Sequence, residues 1–77
     1  MTKNDFLTLF GERLQIANKN LTIETKVKSL EEWDSWNALE LMTMVDEIFG
    51  VILTAPDIAA IVTLEDLITK IGIEKFE

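Results

Sequence analysis

Apolar positions along the chain fall into helical spacings broken by short polar stretches. Between Asn4 and Asn18, Phe6, Leu9, Phe10, Leu14 and Ala17 recur at intervals of three and four, which gathers them on one helix face, and Leu7 and Ile16 widen it. Thr2 or Asn4 supplies a cap for the start, and Asn18-Lys19-Asn20 reads as the end. From Leu21 to Glu32 the pattern changes, because Thr22, Ile23, Thr25 and Val27 alternate with charged residues. A strand fits that alternation, but one short strand has no partner elsewhere in the sequence. The segment reads as a long loop anchored on the helices by Leu21, Ile23, Val27 and Leu30. A loop of this length inside a small domain is unusual and often functional.

Asp34-Ser35 opens a second helix that closes near Gly50, with Asp34 as its cap and Ala38, Leu41, Met42, Val45, Ile48 and Phe49 inward. Thr54-Ala55-Pro56-Asp57 starts a third, short helix with proline in its first turn, reaching Ile61 or Val62. Thr63-Leu64-Glu65-Asp66 is a capping box with Asp for the usual Glu, opening a last helix that buries Leu64, Leu67, Ile68 and Ile71 and stops at Gly72. The tail from Ile73 to Glu77 is expected to fray. The pattern predicts an all-α fold: one domain over 1–77, a small four-helix bundle of three longer helices and a short third, with a long loop between the first two.

Composition narrows the chemistry. A chain of 77 residues buries only about 60–65% of its unfolded surface. It has no cysteine and no histidine, so disulfides are excluded, a structural zinc site is not expected, and 48% hydrophobic content must supply the stability. The same two absences remove the commonest general base and the best nucleophile. With no Gly-rich phosphate loop and no tight acidic cluster, the chain is not expected to be an enzyme. The formal net charge of -7 argues against nucleic acid and anionic membrane surfaces and favours partners with basic patches. It serves equally to keep a small domain soluble. No apolar run reaches the roughly 20 residues of a membrane span, and Met1-Thr2-Lys3-Asn4-Asp5 lacks the layout of a signal peptide, so a cytoplasmic, monomeric protein is expected.

Ser35 is the main candidate for chemistry. A helix N-terminus offers free backbone N–H groups and a partial positive charge, and both would stabilise a phosphate ester on a serine there. Read alone, Asp34-Ser35 is also ordinary capping sequence. The longer run Trp33-Asp34-Ser35-Trp36-Asn37-Ala38-Leu39-Glu40-Leu41, followed by Asp46-Glu47-Ile48-Phe49-Gly50, resembles the phosphopantetheine-attachment region of acyl carrier proteins. Leu53, Ile61, Thr63, Leu64, Asp66 and Ile71 continue that resemblance without a gap into the family's third and fourth helices. The resemblance implies a 4′-phosphopantetheine arm on Ser35, placed there from coenzyme A by a separate phosphopantetheinyl transferase, and an acyl group carried on the arm as a thioester in fatty acid, polyketide or specialised biosynthesis. It implies that Asp34 caps the helix and helps engage the transferase. It implies that Glu40, Asp46 and Glu47 face partner enzymes (acyl-transfer, ligase or synthase enzymes with basic surfaces), although each acid also suits a plain solvated face; the apolar Trp36 and Leu39 are further candidates for partner contact.

The chain departs from the family pattern at three places. Trp36 replaces the usual Leu or Met after the serine, either covering the arm or a partner surface, or packing down on the first loop against Trp33. Asn37 stands where many carriers have an acid. Ile58-Ala59-Ala60-Ile61-Val62 is apolar where many carriers are acidic, which fits either a more buried short helix or a less charged contact surface. Met42 and Met44 are flexible fillers that would help an acyl cavity open. The resemblance leaves two alternatives open: an aminoacyl or peptidyl carrier, and an unmodified interaction module that kept the carrier fold.

Overall fold

Each helix begins at the residue that can cap it. The computed structural model describes all of residues 1–77 and contains α1 (Lys3–Arg13), α2 (Ser35–Phe49), α3 (Ala55–Ala60) and α4 (Leu64–Ile71), with 3₁₀ turns at Val27–Ser29 and Ile73–Lys75. Thr2, Thr54 and Thr63 each form a capping box with Asp5, Asp57 and Asp66, so two orphan amides are satisfied reciprocally at three of the four starts. Asp34 caps α2 by accepting the Asn37 N–H at 2.8 Å. Gly50 closes α2 in the left-handed region (φ 68°), which only a residue without a Cβ adopts freely.

The first helix is shorter than the apolar spacing predicts: it ends at Arg13, not at Asn18. Gln15 turns left-handed (φ 56°), the Ile16 N–H donates to Gly11 C=O at 2.8 Å, and the Gln15 N–H donates to Glu12 C=O at 3.2 Å. These two bonds are the Schellman closure of a helix. It swings Ile16 into the core, 1% exposed, and leaves Ala17 on the surface instead of on the helix face.

The loop from 14 to 34 is pinned by backbone bonds. Val27 N–H donates to Val62 C=O at 2.9 Å, Leu64 N–H to Thr25 C=O at 3.0 Å, and Glu65 N–H to Ile23 C=O at 2.8 Å. Lys26 and Thr63 pair as a single antiparallel bridge. The alternation seen in the sequence therefore has a partner after all, the short connection between α3 and α4, though too short to make a strand. Val27 is fully buried beneath it, while Leu21, Ile23 and Leu30 pack half-buried on the core.

Sixteen residues are buried, and all are hydrophobic, so no buried polar group needs a partner. Leu64, Leu67, Ile68 and Ile71 line the inner face of α4, as their spacing predicts. On α2 the inner face is Leu41, Met44 and Val45, with Met42 half-buried and Ile48 37% exposed. The tail does not fray. Phe76 packs edge-on against Phe6 (centroids 5.6 Å apart) and against Phe49 (5.2 Å), and Glu77 N–H donates to Met1 C=O at 3.0 Å. The result is a mostly helical domain with four helices and no strand, and no helix is long and apolar enough to cross a membrane.

Candidate functional site

Ser35 is the first residue of α2 and is exposed. Asp34 makes the cap, so the Ser35 hydroxyl is not needed for it. The amides of Ser35 and Trp36 find no partner within the chain, as expected for the first N–H groups of a helix. The start of α4 differs: its first two amides, Leu64 and Glu65, are already taken by loop carbonyls. The open end of α2 thus combines a spare hydroxyl, two free amides and the positive end of a 15-residue helix. Those groups suit a phosphate-bearing substituent on Ser35 Oγ.

A side chain missed by sequence reasoning holds this end in place. The Asn37 carboxamide donates to Leu14 C=O at 3.1 Å and to Glu32 C=O at 2.9 Å. One residue thereby ties the end of α1, the loop and the first turn of α2. Glu32 adds a second strap, accepting the Ala17 N–H at 2.9 Å. A carboxylate at position 37 could donate neither bond, so this position calls for an amide. The partners lie 23 and 5 residues away. No local pattern signals such a clamp, beyond an amide standing where a helix start usually favours a carboxylate.

Trp36 is 76% exposed and Leu39 61% exposed. Trp36 therefore does not pack down on the loop; Trp33 is the tryptophan that does, half-buried against the core. Trp36 borders an open groove of about 440 Å³ between the end of α1 and the start of α2, with Gln15, Glu32, Asp34 and Glu40 among its walls. On α3, Ile58 is buried, Ala59 and Ala60 are exposed, and Val62 just beyond is 54% exposed, so the segment is partly core and partly surface.

The acidic residues of α2 are not equivalent. Arg13, in the last turn of α1, donates to Glu40 through Nη2 at 2.7 Å and Nε at 3.1 Å, and reaches Glu47 at 3.4 Å. The hydrogen bond to Glu40, with the charges of Glu40 and Glu47, holds the guanidinium pKa above its ordinary value. Asp46 is exposed and makes no ion pair. Asp34 and Ser35 are adjacent at the helix mouth, Trp36 and Leu39 follow on the exposed face, and Asp46 and Glu47 stand near its far end. No group of His, Cys, Asp or Glu stands close enough to hold a metal ion.

Comparison with protein-family models, with curated proteins and with solved structures finds no match to this chain.

Proposed function

We propose that this chain is a carrier of acyl groups, held as thioesters on a 4′-phosphopantetheine arm esterified to Ser35. One observation supports it above the others: Ser35 is an exposed serine, released from capping by Asp34, at an open helix N-terminus with two unpaired amides. In the attaching step Ser35 Oγ forms a bond to the phosphorus of the phosphopantetheine moiety of coenzyme A. The bond from that phosphorus to the nucleotide breaks, and the hydroxyl proton passes to the transferase. The chain's own part is to present the hydroxyl, to offer the Ser35 and Trp36 amides to the new phosphodiester, and to hold the helix start still through Asn37. The arm's terminal thiol supplies the thioester, and a chain without cysteine offers no competing thiol.

On this reading the four helices form the small bundle of a carrier domain. It works as a cytoplasmic monomer that meets a phosphopantetheinyl transferase and acyl-transfer, ligase or synthase enzymes with basic surfaces. The -7 charge and the α2 acids steer those encounters, raising association rates more than affinity. Incubation with a broad-specificity transferase and coenzyme A should add one arm mass, and Ser35→Ala should abolish the addition. Labelling elsewhere, or none with several transferases, sinks the assignment. A second reading, an unmodified docking module, draws on the exposure of Trp36 and Leu39 together on one face. Stoichiometric co-purification with one partner and no arm would favour it. An aminoacyl or peptidyl cargo remains within the carrier reading, and the cargo recovered on the arm decides between them.

A further inference from the structure

We infer that Arg13 sets how strongly the outer face of α2 draws basic partners, because it already occupies two of that face's carboxylates; this rests on reading that face as the partner-facing side of a carrier. Glu40 and Glu47 lie seven residues apart, two helical turns, and so share one side of α2. The Arg13 guanidinium reaches both, with two N–H donors on Glu40 Oε1 (2.7 and 3.1 Å) and one on Glu47 Oε1 (3.4 Å). A planar fork presenting several donors is what a partner's arginine would bring to the same oxygens. Arg13 therefore stands in the chain as an internal competitor for basic partners.

What it leaves open is a different surface. Of the three acids of α2 only Asp46 is without an ion pair, and it stands two turns further along the helix than the exposed Leu39. A partner that relies on a row of basic residues must first displace Arg13. A partner with an apolar recess and a single cation opposite Asp46 need not. The bridge is partly exposed, with side chains about a third open at Arg13 and Glu40. Exposed ion pairs are weak, so the competition is a modest bias and not a block.

The test uses the full chain, a fluorescently labelled oligolysine peptide as a basic probe, and one broad-specificity transferase. Arg13→Gln should bind the peptide roughly two- to fivefold more tightly at low ionic strength, the range that displacing an exposed pair implies. High salt should erase the gain. Lys3→Gln makes the same charge change at the other end of α1 and should leave affinity nearly unchanged. Adding Glu40→Gln and Glu47→Gln to Arg13→Gln should return binding to the wild-type value or below. The transferase KM should fall in the same order, with kcat constant. Equal binding by Arg13→Gln and wild type, or an equal gain from Lys3→Gln, overturns the inference. If neither the wild type nor any variant takes up an arm with several transferases, the carrier reading fails, and the peptide series still decides the role of Arg13.

Discussion

Asn37→Asp pits two physical effects of opposite sign against each other. Position 37 is the third residue of α2, where a carboxylate ordinarily stabilises a helix by roughly 0.3–1 kcal/mol through the dipole and free amides. Here, however, the side chain donates two hydrogen bonds, to Leu14 C=O at 3.1 Å and Glu32 C=O at 2.9 Å. Aspartate has no N–H to give, and its charge would face two carbonyl oxygens. Losing two partly buried bonds costs about 2 kcal/mol, at about 1 kcal/mol each. The balance is a net loss of about 1–2 kcal/mol. In a domain of this size that lowers Tm by roughly 4–16 °C, since each kcal/mol moves Tm by about 4–8 °C. Asn37→Ala should lose a similar amount, without the helix-end compensation and without the repulsion. Urea unfolding followed by far-UV circular dichroism, with Tm measured in parallel, gives both differences. An aspartate variant as stable as wild type, or more stable, would refute the clamp.

The remaining predictions concern the ends of the helices and the tail. Gln15→Gly should stabilise the protein by about 0.5–1 kcal/mol, because a left-handed residue with a Cβ is strained and glycine is not, an advantage partly offset by the freer unfolded chain; a lower Tm would contradict it. Phe76→Ala should cost about 2 kcal/mol by removing a half-buried ring from Phe6 and Phe49, and no change would mean that the tail frays. Acid should destabilise the domain through α3 and α4. The Asp57 carboxylate is held below its ordinary 3.8 by the Thr54 amide, then the Thr54 hydroxyl, with Lys70 adding attraction, and that of Asp66 is held below 3.8 by the Thr63 and Val62 amides. Folded values below the unfolded ones mean that this contribution is present above about pH 3.8 and is lost as pH falls through the depressed folded values. Thermal melts from neutral pH to pH 3 should show that fall, and Asp57→Asn with Asp66→Asn should flatten it.

Much of the fold is local and was therefore legible. Thr54, Pro56, Thr63 and Gly50 act within a few residues of themselves, so the starts of α3 and α4 and the end of α2 stand where caps and breakers put them. The same holds for the inner face of α4, which a spacing of three and four defines completely. What the sequence hid is contact over distance. The Schellman turn at Gln15 needs a left-handed residue that sequence rules assign to glycine or asparagine, so α1 reads too long. The pairing of Val27 with Val62 joins segments 35 residues apart, and neither segment is long enough to declare itself a strand. At the site, the cap Asp34 and the helix-opening Ser35 were visible from local sequence, whereas the exposure of Trp36 was left open by the sequence and is decided by the fold. Asn37 and Arg13 were not, because their partners come from another element. The acids of α2 were legible as charges, but only the folded chain separates the unpaired Asp46 from the two that Arg13 holds.

The intact mass of the protein taken from its own host, with a peptide map across Trp33 to Leu41, tests the carrier reading most directly. The account predicts one 4′-phosphopantetheine arm per chain, with or without cargo, located on Ser35. A chain recovered wholly unmodified, or modified at any other residue, would contradict it.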